Sequence, residues 1–142
     1  MTQAIQDVSD TAFMVAGFPA LETERREPFY RDPLAARLAG DHGKKILATL
    51  WRTFLGAWSV VIRTVIIDDL IKQAIGEGVD TILNLGAGLD TRPYRMYLPK
   101  TLRGVDVDYA QVIELKEVRL ERFGTSQRKP SGLAGPFLYL SY

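Results

Sequence analysis

The spacing of apolar positions changes character near residue 79. Before it, apolar residues recur every three or four positions, the period of helices packed on one side; after it, they bunch into short β-branched runs that close on glycine or aspartate. In "RDPLAARLAG", Asp32 is placed as an N-cap, Pro33 suits the first helical position, and Gly40 suits the stop. An earlier helix is expected in "SDTAFMVAG", capped by Ser9 or Asp10 and ending near "GFP", with "LETERREPFY" as a charged connection or short helix. The helical period resumes after the "GDHG" turn and runs to "AIGEG", where Gly76 and Gly78 close it; a bend is expected from Gly56 to Ser59.

"VDTILNLG" then reads as a buried parallel strand. "DTRPYRMYL" follows as a helix start, with Asp90 as cap and Pro93 within the first turn. "TLRGVDVDY" is a second strand, and "YAQVIELKEVRLERF" a second helix, apolar at Val112, Leu115, Val118 or Arg119, and Phe123. The order strand, glycine turn, helix, strand, helix predicts an α/β fold in which N-terminal helices precede the first part of a Rossmann-like, doubly wound parallel sheet. The remaining "GTSQRKPSGLAGPFLYLSY" supplies at most one further strand, in "FLYLSY". The expected organisation is a helical segment over 1–78, a β-α-β-α cofactor-binding half over 79–123 and a divergent tail over 124–142, together one incomplete domain.

Composition narrows the partners. Eighteen basic residues against seventeen acidic leave a formal charge of +1, which provides no footprint for nucleic acid or an anionic membrane and favours small ligands. With no cysteine, disulfides, thiolate metal sites and cysteine nucleophiles are excluded together. "MTQAIQDVSD" has neither basic residues nor an apolar core, so no secretory signal is read there and a cytoplasmic location is expected. The uncharged stretch Thr53 to Ile62 is ten residues, short of the ~20 that span a bilayer. The lone histidine, His42, reads as a surface residue with no partners at metal-ligand spacing. Trp51, Phe54, Leu55 and Trp58 read as core, and the basic "RLERFGTSQRK" as a solvated helix face.

Candidate chemistry concentrates in "NLGAGLDTR", residues 84–92. Gly86 and Gly88 allow a tight turn and close approach of a ligand to the backbone, and Asp106 and Asp108 lie 20 and 22 residues past Gly86, where an acid binds a ribose diol. Both aspartates face the same way along a strand, and spacing slightly favours Asp106. The third glycine of a dinucleotide fingerprint is missing, and Asp90 would occupy the helix-start donors and repel a pyrophosphate. A nucleoside without phosphates fits better. S-adenosylmethionine is one, with a ribose diol, a sulfonium and an amino acid end. For its carboxylate the candidate is Arg63: on the stripe of Ile67, Leu70, Ile71 and Ala74 it points coreward and needs an anion, whereas continued from Lys45, Thr49, Arg52 and Ser59 it points to solvent. Periodicity leaves both registers open.

Together, "TAFMVAGFPALETERREPFYRDPLAARLAG", "IRTVIIDD", "NLGAGLDTRPYRM" and "VDVDYAQVIELK" resemble the leucine carboxyl methyltransferase and polyketide O-methyltransferase family of class I S-adenosylmethionine-dependent methyltransferases, over about residues 10–120. The resemblance implies that Arg63 meets the methionine carboxylate, Gly86 lies at the ammonium end and Asp108 takes the ribose, shifting the preference from Asp106. It also implies that the N-terminal helices cover the active site and help shape the acceptor pocket. The family pattern continues through further strands, including an aspartate-leucine pair that holds the adenine; here it is not followed beyond about Arg122.

The function expected is O-methyl transfer to a carboxylate or hydroxyl of a small molecule or polyketide, with no residue assignable as catalytic base. The alternative is a shortened, non-catalytic methyltransferase remnant that binds cofactor or serves as an interaction module. Because a sheet of two or three parallel strands leaves an edge open to pairing, a homo-oligomer is expected.

Overall fold

The computed structural model describes residues 8–50, 54–124 and 137–141. In chain order they form α1 (Val8–Thr23), α2 (Pro33–Leu50), α3 (Phe54–Gly76), β1 (Thr81–Leu85), α4 (Arg92–Arg95), β2 (Arg103–Asp108), α5 (Ala110–Arg122) and β3 (Phe137–Ser141). The strands make one parallel sheet in the order β1-β2-β3, with Leu85 opposite Val107 and Asp108 opposite Ser141. Helices followed by the opening of a Rossmann-like parallel sheet is the expected architecture. Among the described residues no helix is long and apolar enough to cross a membrane.

The Asp32 cap forms as the sequence implies, its Oδ1 accepting the Ala35 backbone N–H at 2.9 Å ahead of a helix that begins at Pro33. Gly40, at φ 57° and ψ −159°, ends the first helical piece as expected, but a second begins directly after it, so α2 is two pieces joined at a kink and residues 41–43 of "GDHG" are helical rather than a turn. Gly43 has a packing reason instead: a Cβ there would lie 3.1 Å from the Phe13 carbonyl oxygen, so the missing side chain lets α1 and α2 approach.

Three other boundaries move. α1 continues through "GFP" to Thr23, accommodating Pro19 inside the helix. α3 remains helical across residues 56–59, where a bend was expected, and residues 51–53, between α2 and α3, lie outside the described residues. α4 is one turn only: Met96 is already extended, shortly before Leu98, which Pro99 biases away from the α region.

Ala12, Phe13, Leu38, Leu89, Val112 and Leu120 form a core that ties α1 and α2 to the glycine turn and α5. α5 buries Val112, Ile113, Lys116 and Leu120, whereas Val118 is exposed. Arg119 leaves the solvated face expected of it. Its guanidinium stacks over the Phe13 ring, 4.6 Å from the centroid, and donates to the Leu38 carbonyl.

α3 carries apolar residues on both its buried and its exposed side, among exposed charges such as Arg63, Asp69 and Lys72. Val61 is buried, while Ile62, Ile66 and Leu70 form an outward row, and Leu83 and Leu85 of the edge strand β1 are exposed as well.

Candidate functional site

A cavity of about 430 Å³ opens at the carboxyl ends of β1 and β2, where an α/β sheet presents its loops to a ligand. Its base is the glycine turn and Asp108; its walls are Ala12, Val15, Ala16 and Pro19 of α1 and Val60, Arg63, Thr64 and Ile67 of α3. Gly86 and Gly88 hold φ of 65° and 52°, left-handed values that disfavour a side chain. Among the described residues nothing beyond its chain neighbours lies within 4 Å of where a Cβ on Gly86 would be, so the turn presents bare backbone there.

The donors of that turn are already used. Gly86 N–H and Ala87 N–H reach the Val107 carbonyl at 2.8 and 3.2 Å, Gly88 N–H reaches Asp108 Oδ2 at 2.7 Å, and Asp90 N–H reaches the Ala87 carbonyl at 3.0 Å. A phosphate would have to displace these bonds. Asp108 is buried and also accepts the Tyr109 backbone N–H at 2.7 Å on Oδ1. Each carboxylate oxygen therefore accepts one backbone bond and keeps further acceptor capacity.

The six candidate residues do not all converge. Arg63, Gly86, Gly88, Asp90 and Asp108 line the cavity. Arg63 is exposed rather than coreward, and among the described residues no acid pairs with it. Asp106 shares the face of Asp108 but borders a neighbouring cavity of about 230 Å³, with Ile67, Ile71 and Met96. It is fully buried, its Oδ2 2.7 Å from Lys116 Nζ and its Oδ1 accepting from Asn84 Nδ2 at 2.9 Å.

Asp90 is committed too. Its Oδ1 accepts the Arg92 backbone N–H at 2.9 Å, and its Oδ2 lies 2.6 Å from Arg92 Nη1 and 3.2 Å from Asn84 Nδ2. The N-cap position of α4 is Thr91, one residue later than expected, and its hydroxyl is spent elsewhere, on Asp32 Oδ2.

Sequence reading missed what surrounds the turn. Asp68 of α3 accepts Arg95 through both oxygens, at 2.6 and 2.8 Å, and Arg92 Nε at 2.9 Å. Arg95 Nε lies 3.4 Å from Asp32 Oδ2, an ion pair without hydrogen-bond alignment, and its guanidinium stands 5.0 Å from the Tyr30 ring centroid. Burial, opposed by the Thr91 and Ala35 hydrogen bonds and Arg95, holds the Asp32 carboxyl above its ordinary value; burial also raises the Tyr30 phenol. For Arg92 the burial penalty is outweighed by Asp90 and Asp68, and its pKa rises. The available signal was spacing: Asp68 sits five residues after Arg63, and Arg92 and Arg95 are three apart on one helical turn.

Comparison with known proteins adds to this geometry. Residues 12–134 match the leucine carboxyl methyltransferase family. A protein of Frankia alni is 40% identical over 115 residues, and proteins of Streptomyces avermitilis and Streptomyces coelicolor are 38% and 37% identical over 120. All three are provisionally named as S-adenosyl-L-methionine-dependent methyltransferases. In each case the match covers 75% of this chain and 40% of the relative, so the chain spans about two fifths of the length of these relatives.

Proposed function

Given that the chain belongs to the leucine carboxyl methyltransferase family, we propose that its cavity takes S-adenosyl-L-methionine for O-methylation of a carboxylate or hydroxyl on a small molecule or polyketide. The observation that carries this reading is the meeting, in one cavity, of a bare glycine turn, a carboxylate with spare acceptor capacity and a guanidinium with no acid paired to it among the described residues. Asp108 would hold the ribose diol, the backbone at Gly86 would lie beside the amino acid end, and Arg63 would meet its carboxylate. The charges lining the cavity balance, Asp32, Asp90 and Asp108 against Arg63, Arg92 and Arg95, which suits a ligand that carries both cationic sulfonium and ammonium groups and an anionic carboxylate.

When bound, the donor would supply a methyl group activated on a positively charged sulfur; the acceptor oxygen would bond to that carbon as its bond to sulfur breaks in line, the electron pair leaving with the neutral thioether. The protein's part is alignment and exclusion of water, to which the apolar side chains of α1 and α3 contribute. A carboxylate acceptor requires no base, whereas an alcohol or phenol would. Isothermal titration with S-adenosylmethionine and its demethylated product tests the reading. Micromolar binding is expected, weakened roughly tenfold or more in Arg63→Ala through loss of a charge-assisted contact. No heat with the wild type at hundreds of micromolar ligand rejects the assignment.

A second reading, a self-associating module, is favoured by the outward row Ile62, Ile66 and Leu70 together with Leu83 and Leu85 of β1, which pairs only with β2 among the described residues. A homo-oligomer is expected by light scattering at micromolar concentration, reduced to monomer by Ile66→Glu. A wild type that stays monomeric there contradicts it.

A further inference from the structure

Arg95 is the meeting point of three parts of the chain that are far apart in sequence. It lies in the single turn of α4 that follows the glycine turn, it is clasped through two nitrogens by Asp68 of α3, and it faces Tyr30 and Asp32 at the entry to α2. Its side chain is 10% exposed, and it lines the cavity. The α1–α2 connection is fastened to the same point. Thr23 Oγ1 accepts the Asp32 backbone N–H at 2.7 Å, buried Glu22 accepts the Phe29 N–H at 2.8 Å and Arg25 Nη1 at 3.1 Å, and Asp32 takes the Thr91 hydroxyl. The helices that wall the cavity on one side are thus tied to the turn at its base through polar bonds, which hold only in a well-defined geometry, as well as through the apolar core.

We infer that Arg95 is a positioning residue that makes the N-terminal helices part of the ligand grip, so that filling the cavity and fastening the 24–31 connection are one coupled event; this rests on the methyl-donor reading of the cavity. A ligand that touches α1, α3 and the glycine turn together is bound best when all three are held in register. By reciprocity, whatever favours that register tightens the ligand, and the ligand tightens the register. Arginine suits the position because a planar fork can engage Asp68 twice while presenting a third nitrogen to Asp32, which a lysine cannot do.

Arg25 and Arg26 are exposed in the connection, which provides a local reporter in the intact chain. Tryptic cleavage there, followed by mass spectrometry with and without the demethylated donor, is compared in wild type, Arg95→Met and Arg95→Lys, alongside affinity by titration and thermal unfolding. Saturating ligand is expected to slow wild-type cleavage roughly tenfold, and Arg95→Met to lose most of that protection together with roughly tenfold in affinity. Arg95→Lys recovers part of both. A role confined to stability would lower the melting temperature and leave the ligand-dependent ratio of cleavage rates intact. Should Arg95→Met fail to fold, Thr91→Val cuts the hydroxyl link to Asp32 while keeping every charge, and the same loss of protection is expected. Undiminished protection in these variants, with a wild type that binds, overturns the inference alone; a wild type that binds nothing overturns the methyl-donor reading and this inference together.

Discussion

Replacing Lys116 with methionine is expected to remove about 3–5 kcal/mol of folding stability, the usual consequence of leaving one member of a buried ion pair behind. Lys116 Nζ and Asp106 Oδ2 are 2.7 Å apart, and both side chains are fully buried. The charge left on Asp106 would keep Asn84 as a hydrogen-bond donor but lose its close counter-ion. Against a total of about 5–15 kcal/mol for an ordinary domain, the loss would leave a marginal protein. Adding Asp106→Asn to Lys116→Met removes the stranded charge while keeping an acceptor for Asn84, so the double variant should regain much of the deficit in urea unfolding. A double variant no more stable than the single one would mean that the lysine acts through packing of its stem.

Asp108→Ala is expected to weaken binding of the demethylated donor by about 100-fold or more, the scale of losing charge-assisted hydrogen bonds to a buried carboxylate. Two effects combine in it. The ribose would lose its acceptor, and the Gly88 and Tyr109 N–H groups, each 2.7 Å from the carboxylate, would lose theirs, loosening the turn. Asp106→Asn, by contrast, should leave affinity within about twofold once the protein is folded, because Asp106 is fully buried and does not line the donor cavity, so it has no direct ligand contact to lose. Titration of the two variants side by side decides between the aspartates. Equal losses, or a larger one at position 106, would reverse the assignment of the ribose.

Much of the frame was legible from local signals. Asp32 and Pro33 marked a helix start because capping and the proline φ act within four residues, and the glycine turn was legible because its conformation is set by the residues that form it. What escaped depends on partners distant in sequence. Lys116 falls at a polar position of an amphipathic helix, and nothing in its neighbourhood announces an aspartate ten residues earlier beneath it. Gly43 looked like punctuation but serves the approach of α1. Asp106 and Asp108 are equivalent by alternation, and spacing only slightly favours Asp106; the tertiary surroundings give one to a lysine and the other to the backbone of the turn. Arg63 was balanced between two registers, and the structure combines them: the side chain is exposed and also borders the cavity.

The polar chain from Thr23 through Asp32, which also takes Thr91, to Arg95, Asp68, Arg92, Asp90, Asn84, Asp106 and Lys116 also constrains how this sequence can change. Neighbours in such a chain share partners, so the cost of altering one depends on the state of the next. Divergence along it should proceed by compensated pairs rather than solitary steps. A swap tolerated in one homologous background would then be damaging in another, an epistasis rooted in who donates to whom.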